Sequence, residues 1–327
     1  MSNLHSVFET CFVAFAFLCF SPLVAAAQTA EPARVGYLLA GSPSAHGPYV
    51  ESLRAGLRDL GHVEGRTIVI EPRFAMGKRA LLVKLAEELV RLRPGVIVVT
   101  GSGLARITRK ASPTVPIVVS VTGDLVGSGI VASLARPGGN ITGQTALSRE
   151  LSAKKLQLLK EAIPEMARVA VLHNAGARSR KSVQRIRDAG REMGVTILPV
   201  SASTPEELES AFAAAARADA LIVIVSRLAS TRRKMVVELA VKWKLPTMCW
   251  QPSLARLGCL MSYGADRIDM VRRSATQVHK ILNGANAGEL PVERPAKFDF
   301  AVNLKTANAL GIKVPPSILL RADEVIE

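Results

Sequence analysis

Gly101-Ser102-Gly103 follows the apolar run Val96–Thr100, and Asp124 follows the next such run. This is the nearest the chain comes to a nucleotide-holding loop. A dinucleotide fingerprint needs a further glycine three residues past the second, where the backbone approaches the pyrophosphate, and Arg106 stands there. The same geometry suits a smaller anion: the Ser102 hydroxyl and backbone N–H groups at a helix start can hold a carboxylate. An ordinary strand-to-helix turn is the other reading of these residues. There is no nucleophile elbow and no phosphate loop, and His46, His62, His173 and His279 lack zinc-ligand spacing. Neither an enzyme, a metal nor a cofactor is expected.

A more coherent set stands where apolar runs end. Ser42, Ser102, Asp124, Asn174, Ser226 and Trp250 each follow a run, and Tyr263 comes shortly after the last of them. Singly, such residues are turn formers or helix caps. Together they fall on the carboxyl edge of strands, where α/β proteins form binding crevices. In that reading Asp124 pairs with a ligand ammonium, and Ser42 and Ser102 bond a carboxylate. Trp250 or Tyr263 would offer an apolar or cation–π face, Trp250 being equally suited to core packing.

The elements that must position these residues are legible as short apolar runs: Val35–Ala40, Thr67–Ile70, Val96–Thr100, Ile117–Val121, Val169–His173, Val195–Val200, Ala220–Ser226 and Pro246–Trp250. Most are continuous rather than alternating, as strands covered on both faces are, so a parallel sheet flanked by helices is expected. Helices are predicted at about Tyr49–Leu60, Arg79–Arg91, Ala153–Ile163, Ser179–Met193, Ala229–Trp243 and Arg267–Leu282. One more opens at Thr204-Pro205-Glu206-Glu207, with Thr204 as N-cap and Glu207 at the capping-box position. The alternation stops at Arg136-Pro137-Gly138-Gly139-Asn140-Ile141-Thr142-Gly143, where Asn140 can take left-handed geometry, and then resumes. Two such series joined by a crossing predict a two-lobed hinge protein with ligand between the lobes.

Composition agrees with that class. The chain has 327 residues, 49% hydrophobic and 4% aromatic, enough for two aliphatic cores. Residues 1–27 read as a signal peptide: the apolar stretch Cys11–Phe20, Ser21-Pro22, and the small run Ala25-Ala26-Ala27 with cleavage after Ala27. Its n-region has His5 in place of the usual Lys or Arg. The formal charge of +15 rises by one on cleavage, because Glu9 leaves and no Lys or Arg does. The basic residues are scattered over helix faces, as at Arg180, Lys181, Arg185 and Arg187, without interleaved aromatics, so a solvated surface rather than nucleic acid is expected. Cys249 and Cys259 remain in an oxidising compartment, either paired or as buried thiols.

Val131-Ala132-Ser133-Leu134-Ala135-Arg136-Pro137-Gly138-Gly139-Asn140-Ile141-Thr142-Gly143 resembles the signature of the ABC-transporter substrate-binding protein family related to tryptophan and tyrosine uptake. Met261-Ser262-Tyr263-Gly264, Leu290-Pro291-Val292-Glu293, Val302-Asn303-Leu304-Lys305-Thr306-Ala307 and the ending Arg321–Glu327 resemble its later motifs. Where relatives carry a Ser-Asp-Pro-Val loop, this chain has Thr122-Gly123-Asp124-Leu125-Val126, keeping the acid and losing the proline. The resemblance implies a type I periplasmic binding protein fold, with two doubly wound parallel-sheet α/β lobes joined by a three-crossing hinge. Lobe 1 would hold 34–142 plus about 262–296, and lobe 2 would hold 143–261 plus about 297–327. It also implies a periplasmic protein that delivers a small-molecule ligand, an amino acid or a small aromatic or carboxylated compound, to the permease and ATPase subunits of an importer. The alternative is a secreted sensor that uses the same pocket to contact a receptor.

Overall fold

The computed structural model describes residues 31–146 and 151–327, so the leader expected at 1–27 lies outside the described residues. The first series is β1 (Ala33–Leu39), α1 (Pro43–Asp59), β2 (Ile68–Phe74), α2 (Arg79–Arg91), β3 (Val96–Thr100), α3 (Ser102–Ala111), β4 (Ile117–Val121) and β5 (Ile141–Gly143). Its strands form a five-stranded, all-parallel sheet in the order β2-β1-β3-β4-β5.

The continuous apolar runs have a simple cause. All five residues of β3 are buried, and their side chains alternate between two cores: Val96 and Val98 pack with α1, while Ile97 and Val99 pack with α2 and α3. Each strand residue therefore faces a covered surface, whichever way the pleat points it.

The second series is α4 (Leu151–Ala162), β6 (Arg168–His173), α5 (Ala177–Glu192), β7 (Thr196–Ser201), α6 (Glu206–Ala215), β8 (Ala220–Val223), α7 (Arg227–Thr231), α8 (Arg233–Lys242), β9 (Thr247–Cys249), α9 (Pro252–Leu257) and β10 (Met261–Ala265). The chain then runs through α10 (Arg267–Leu282), β11 (Phe298–Asn303), α11 (Leu304–Ala309), α12 (Pro316–Leu319) and β12 (Glu324–Ile326). The second sheet has seven strands in the order β12-β11-β10-β9-β8-β6-β7, parallel except where β10 meets β11. It too has a core on each face, with α4 and α5 over one and α6, α8 and α9 over the other. This is the two-sheet α/β architecture expected of the type I binding fold. No helix among the described residues is long and apolar enough to cross a membrane.

The chain passes between the two halves three times. It leaves the first sheet after β5, returns through α10, and re-enters the second sheet at β11. The return was expected from about residue 262; β10 stays in the second sheet through Ala265, whose side chain already packs into the first half's core. Met261 and Ser262 are held by parallel pairing to Met248 and Cys249, and Met261 is buried in the second half's core. From Met270 onward the apolar face of α10 packs with α1 against the first sheet.

Local details differ from expectation where backbone chemistry overrides pattern. In the Pro-Gly-Gly-Asn block the left-handed positions are Gly138 (φ 73°) and Gly139 (φ 64°). Asn140 serves instead as a clamp, its side-chain amide donating to Val115 O at 2.7 Å. The next three residues form the edge strand β5, whose Gly143 (φ 145°) is required because a Cβ there would lie 2.2 Å from Val119 O. The helix expected at 229–243 is divided at Arg232 into α7 and α8. At α6 the Glu207 carboxylate accepts from Ser203 N–H at 2.7 Å rather than from Thr204, so the capping contact is displaced by one residue. Cys249 and Cys259 form a disulfide across a sequence separation of 10.

Candidate functional site

The site is built from strand ends of the first half and helix starts of the second. After β4 the chain turns through Gly123 and Asp124, and Asp124 Oδ1 accepts from Gly127 N–H at 2.8 Å, which fixes the turn. Gly123 and Asp124 form one wall of a cavity of about 160 Å³. The opposite wall comes from Ser152 and Lys155 in α4, Ser179 and Ser182 in α5, and the segment Ile222–Val225 at the end of β8. The cavity is thus lined from both sheet-centred halves. A volume below the roughly 300 Å³ of drug-sized sites suits a small metabolite.

Lys155 is the unusual member. It is only 6% exposed, and burial pulls its ammonium down to about 8 from its ordinary value. Among the described residues no carboxylate or hydrogen-bond acceptor pairs with it. Sequence reasoning took this segment as a plain amphipathic helix and missed the residue. A signal was present: Ser152, Lys155, Leu159 and Ala162 recur at helical spacing on the buried face of α4. A cation on an apolar stripe is uncommon unless it has a partner to meet.

The residues singled out from sequence are distributed unevenly around this cavity. Asp124 lines it directly. Asn174, just past β6, stands one hydrogen bond behind, its Oδ1 accepting from the hydroxyl of Ser179. Ser226 follows the lining residue Val225 and N-caps α7, accepting from Ala229 N–H at 3.0 Å. Ser42 N-caps α1, accepting from Ala45 N–H at 3.3 Å, and Ser102 opens α3 behind Gly101. Both stand at the carboxyl edge of the first sheet, outside the cavity lining. Trp250 is 5% exposed and belongs to the core shared with α8 and α9. Tyr263 is half-buried, stacked on Phe298 with ring centroids 6.0 Å apart, and burial raises its phenol above the ordinary value.

The chemistry of this lining is that of recognition. Backbone turns, hydroxyls, one carboxylate and one ammonium can orient a ligand through hydrogen bonds and charge. Among the described residues no three His, Cys, Asp or Glu side chains converge as a metal site.

Known proteins share this architecture. A conserved domain protein from Vibrio cholerae superposes with a TM-score of 0.82 at 26% identity, covering 90% of this chain and all of its own. The Streptococcus pneumonia ABC domain in complex with L-Trp gives the same TM-score at 21% identity, again over 90% of this chain and 100% of that one. A tyrosine-binding protein of Clostridioides difficile is 24% identical over 260 residues, 79% of this chain and 74% of that protein. The family described as ABC transporter substrate binding protein matches residues 43–326, nearly the whole described chain. The chain therefore belongs to the ABC transporter substrate-binding proteins, a family that binds solutes rather than transforming them.

Proposed function

We propose that the protein is the periplasmic solute-binding component of an ABC importer, closing its two halves around a small organic ligand. The single observation that carries this reading is the cavity between Asp124 on one half and Lys155 with its neighbouring serines on the other. A ligand that touches both walls stabilises the closed arrangement by its differential affinity for it, and that arrangement is what a permease and its ATPase would recognise. Residues 1–27 direct the chain to the periplasm and are removed. The ligand is an amino acid or a small aromatic or carboxylated compound, in keeping with the tyrosine-binding relative and the L-Trp complex. Asp124 receives the ligand ammonium, and Asn174 and Ser226 support the wall it faces. Ser42, Ser102 and Tyr263 lie farther out, where closure would bring them toward the solute, and Trp250 supports the second half from within its core.

A thermal-shift screen of the chain starting after Ala27, against amino acids, aromatic acids and neutral solutes, tests this directly. A ligand at a hundred times its Kd adds about 2.7 kcal/mol and raises the melting temperature visibly. A broad panel without a single shift would count against solute binding.

A further inference from the structure

Lys155 is only 6% exposed, burial lowers its ammonium to about 8, and it has no counter-ion among the described residues. Ser152 and Lys155 stand in the first two turns of α4, and Ser179 and Ser182 in the first two turns of α5. All four line the same cavity. One ammonium and three serine side chains therefore line one small volume. Among the described residues of the second half's wall none carries a negative charge: Ile222, Val223, Ile224 and Val225 complete it with apolar side chains and backbone. Among the described residues the acid of the lining is Asp124, on the opposite wall.

We propose that Lys155 is the specificity-determining anchor for a carboxylate on the solute, in a cavity that it shares with Ser152, Ser179 and Ser182. The inference rests on the solute-binding reading and narrows it to carboxylate-bearing ligands. It also moves the carboxylate subsite from Ser42 and Ser102 to the second half. An α-amino acid then spans the cavity with its charges sorted, carboxylate to Lys155 and ammonium to Asp124. Neutral sugars and amines lacking a carboxylate leave the lysine uncompensated and are rejected, because a desolvated charge without a partner is costly.

The test uses matched pairs in calorimetric titrations: L-tyrosine and tyramine, L-tryptophan and tryptamine, benzoate and benzyl alcohol. The wild type should prefer a carboxylate member, and Lys155→Met should weaken that member by about a hundredfold, the usual scale for removing one side of a buried charge pair. The partner lacking the carboxylate should change by less than about threefold in the same variant. The ligand-free Lys155→Met protein should also melt higher than the wild type, since an apolar chain of similar length replaces an unpaired charge. Lys155→Gln is read the same way should the Met variant not fold. Equal loss for both members of a pair, or no loss for either, overturns the assignment of Lys155 while leaving solute binding standing. A wild type that binds no member of any pair overturns the solute reading, and Lys155's role with it.

Discussion

Reducing the Cys249–Cys259 bridge offers the sharpest stability test, because the perturbation changes one bond and no side-chain volume. The two cysteines are fully buried, at 0% exposure, and are separated by 10 residues. In the chain-entropy treatment a loop of about ten residues restricts the unfolded ensemble by about 9 cal/mol/K, or about 2.7 kcal/mol at 25 °C. The closed loop contains α9, which is itself fastened to the edge of the sheet. Asn303 Nδ2 donates to Ala255 O at 2.7 Å, and Arg256 pairs with Glu324 at 2.7 Å. The folded form should thus keep its geometry when the bond is broken, and the effect should fall on the unfolded chain. Urea unfolding of the chain starting after Ala27, with and without a phosphine reductant, should differ by about 2.7 kcal/mol, with a melting shift of roughly 4 °C. Without reductant, thiol labelling of the denatured protein should find no free cysteine. A stability difference below about 1 kcal/mol would refute the entropic reasoning, and two titratable thiols would refute the bridge itself.

Other expectations follow from single contacts. Asp124→Asn keeps an acceptor for Gly127 N–H and removes the charge, so the fold should hold while affinity for L-tyrosine drops roughly tenfold or more by calorimetry; unchanged affinity would take Asp124 out of the site. Gly143→Ala forces a Cβ to 2.2 Å from Val119 O at a φ of 145°, and should cost about 3 kcal/mol or more in urea unfolding, whereas a near-neutral result would contradict the local packing. Asp299 has its carboxyl raised from 3.8 to about 6, chiefly by burial and then by Asp266, Asp323, Asp269 and Glu324. An acid with a raised folded value loses stability as pH climbs from about 4 through 6, where the native state must ionise against its neighbours. Asp299→Asn should therefore gain at pH 7.5 and gain little at pH 4. Because the group is partly solvated, the gain should be about 1 kcal/mol, not the full shift. A larger gain at acid pH would reverse the argument.

The fold was legible where strands are buried on both faces. Val96–Thr100 and Ile117–Val121 were bounded correctly from sequence because every side chain there is buried and all but Thr100 and Ser120 are apolar, Ser120 donating its hydroxyl to Val99 O. The crossings were harder. β10 reads Met-Ser-Tyr-Gly-Ala, a pattern equally compatible with the end of one half or the start of the other, and only pairing with Met248 and Val302 decides. Capping residues were found in the right neighbourhood but at shifted positions, because a carboxylate such as that of Glu207 reaches whichever N–H the entering chain presents. The site was half legible. Asp124 stands in a loop after a strand, where polar residues draw attention. Lys155 hides in a helix whose charged surface residues, including Lys154 and Lys160, mask the one that points inward. Whether Trp250 packs or binds depends on which neighbours surround it, which no local pattern encodes.

The antiparallel pairing of β10 with β11 has a mechanical consequence. Their register runs from Met261↔Val302 to Ala265↔Phe298, and Asp266 N–H still donates to Lys297 O at 3.2 Å just beyond. Two of the three connections between the halves are thus laced side by side up to the point of departure. They cannot swing independently, and together they act as a strap of double width that resists twisting while permitting a fold across it. If the halves close on a ligand as proposed, this double strap favours one dominant angle of motion over independent swings.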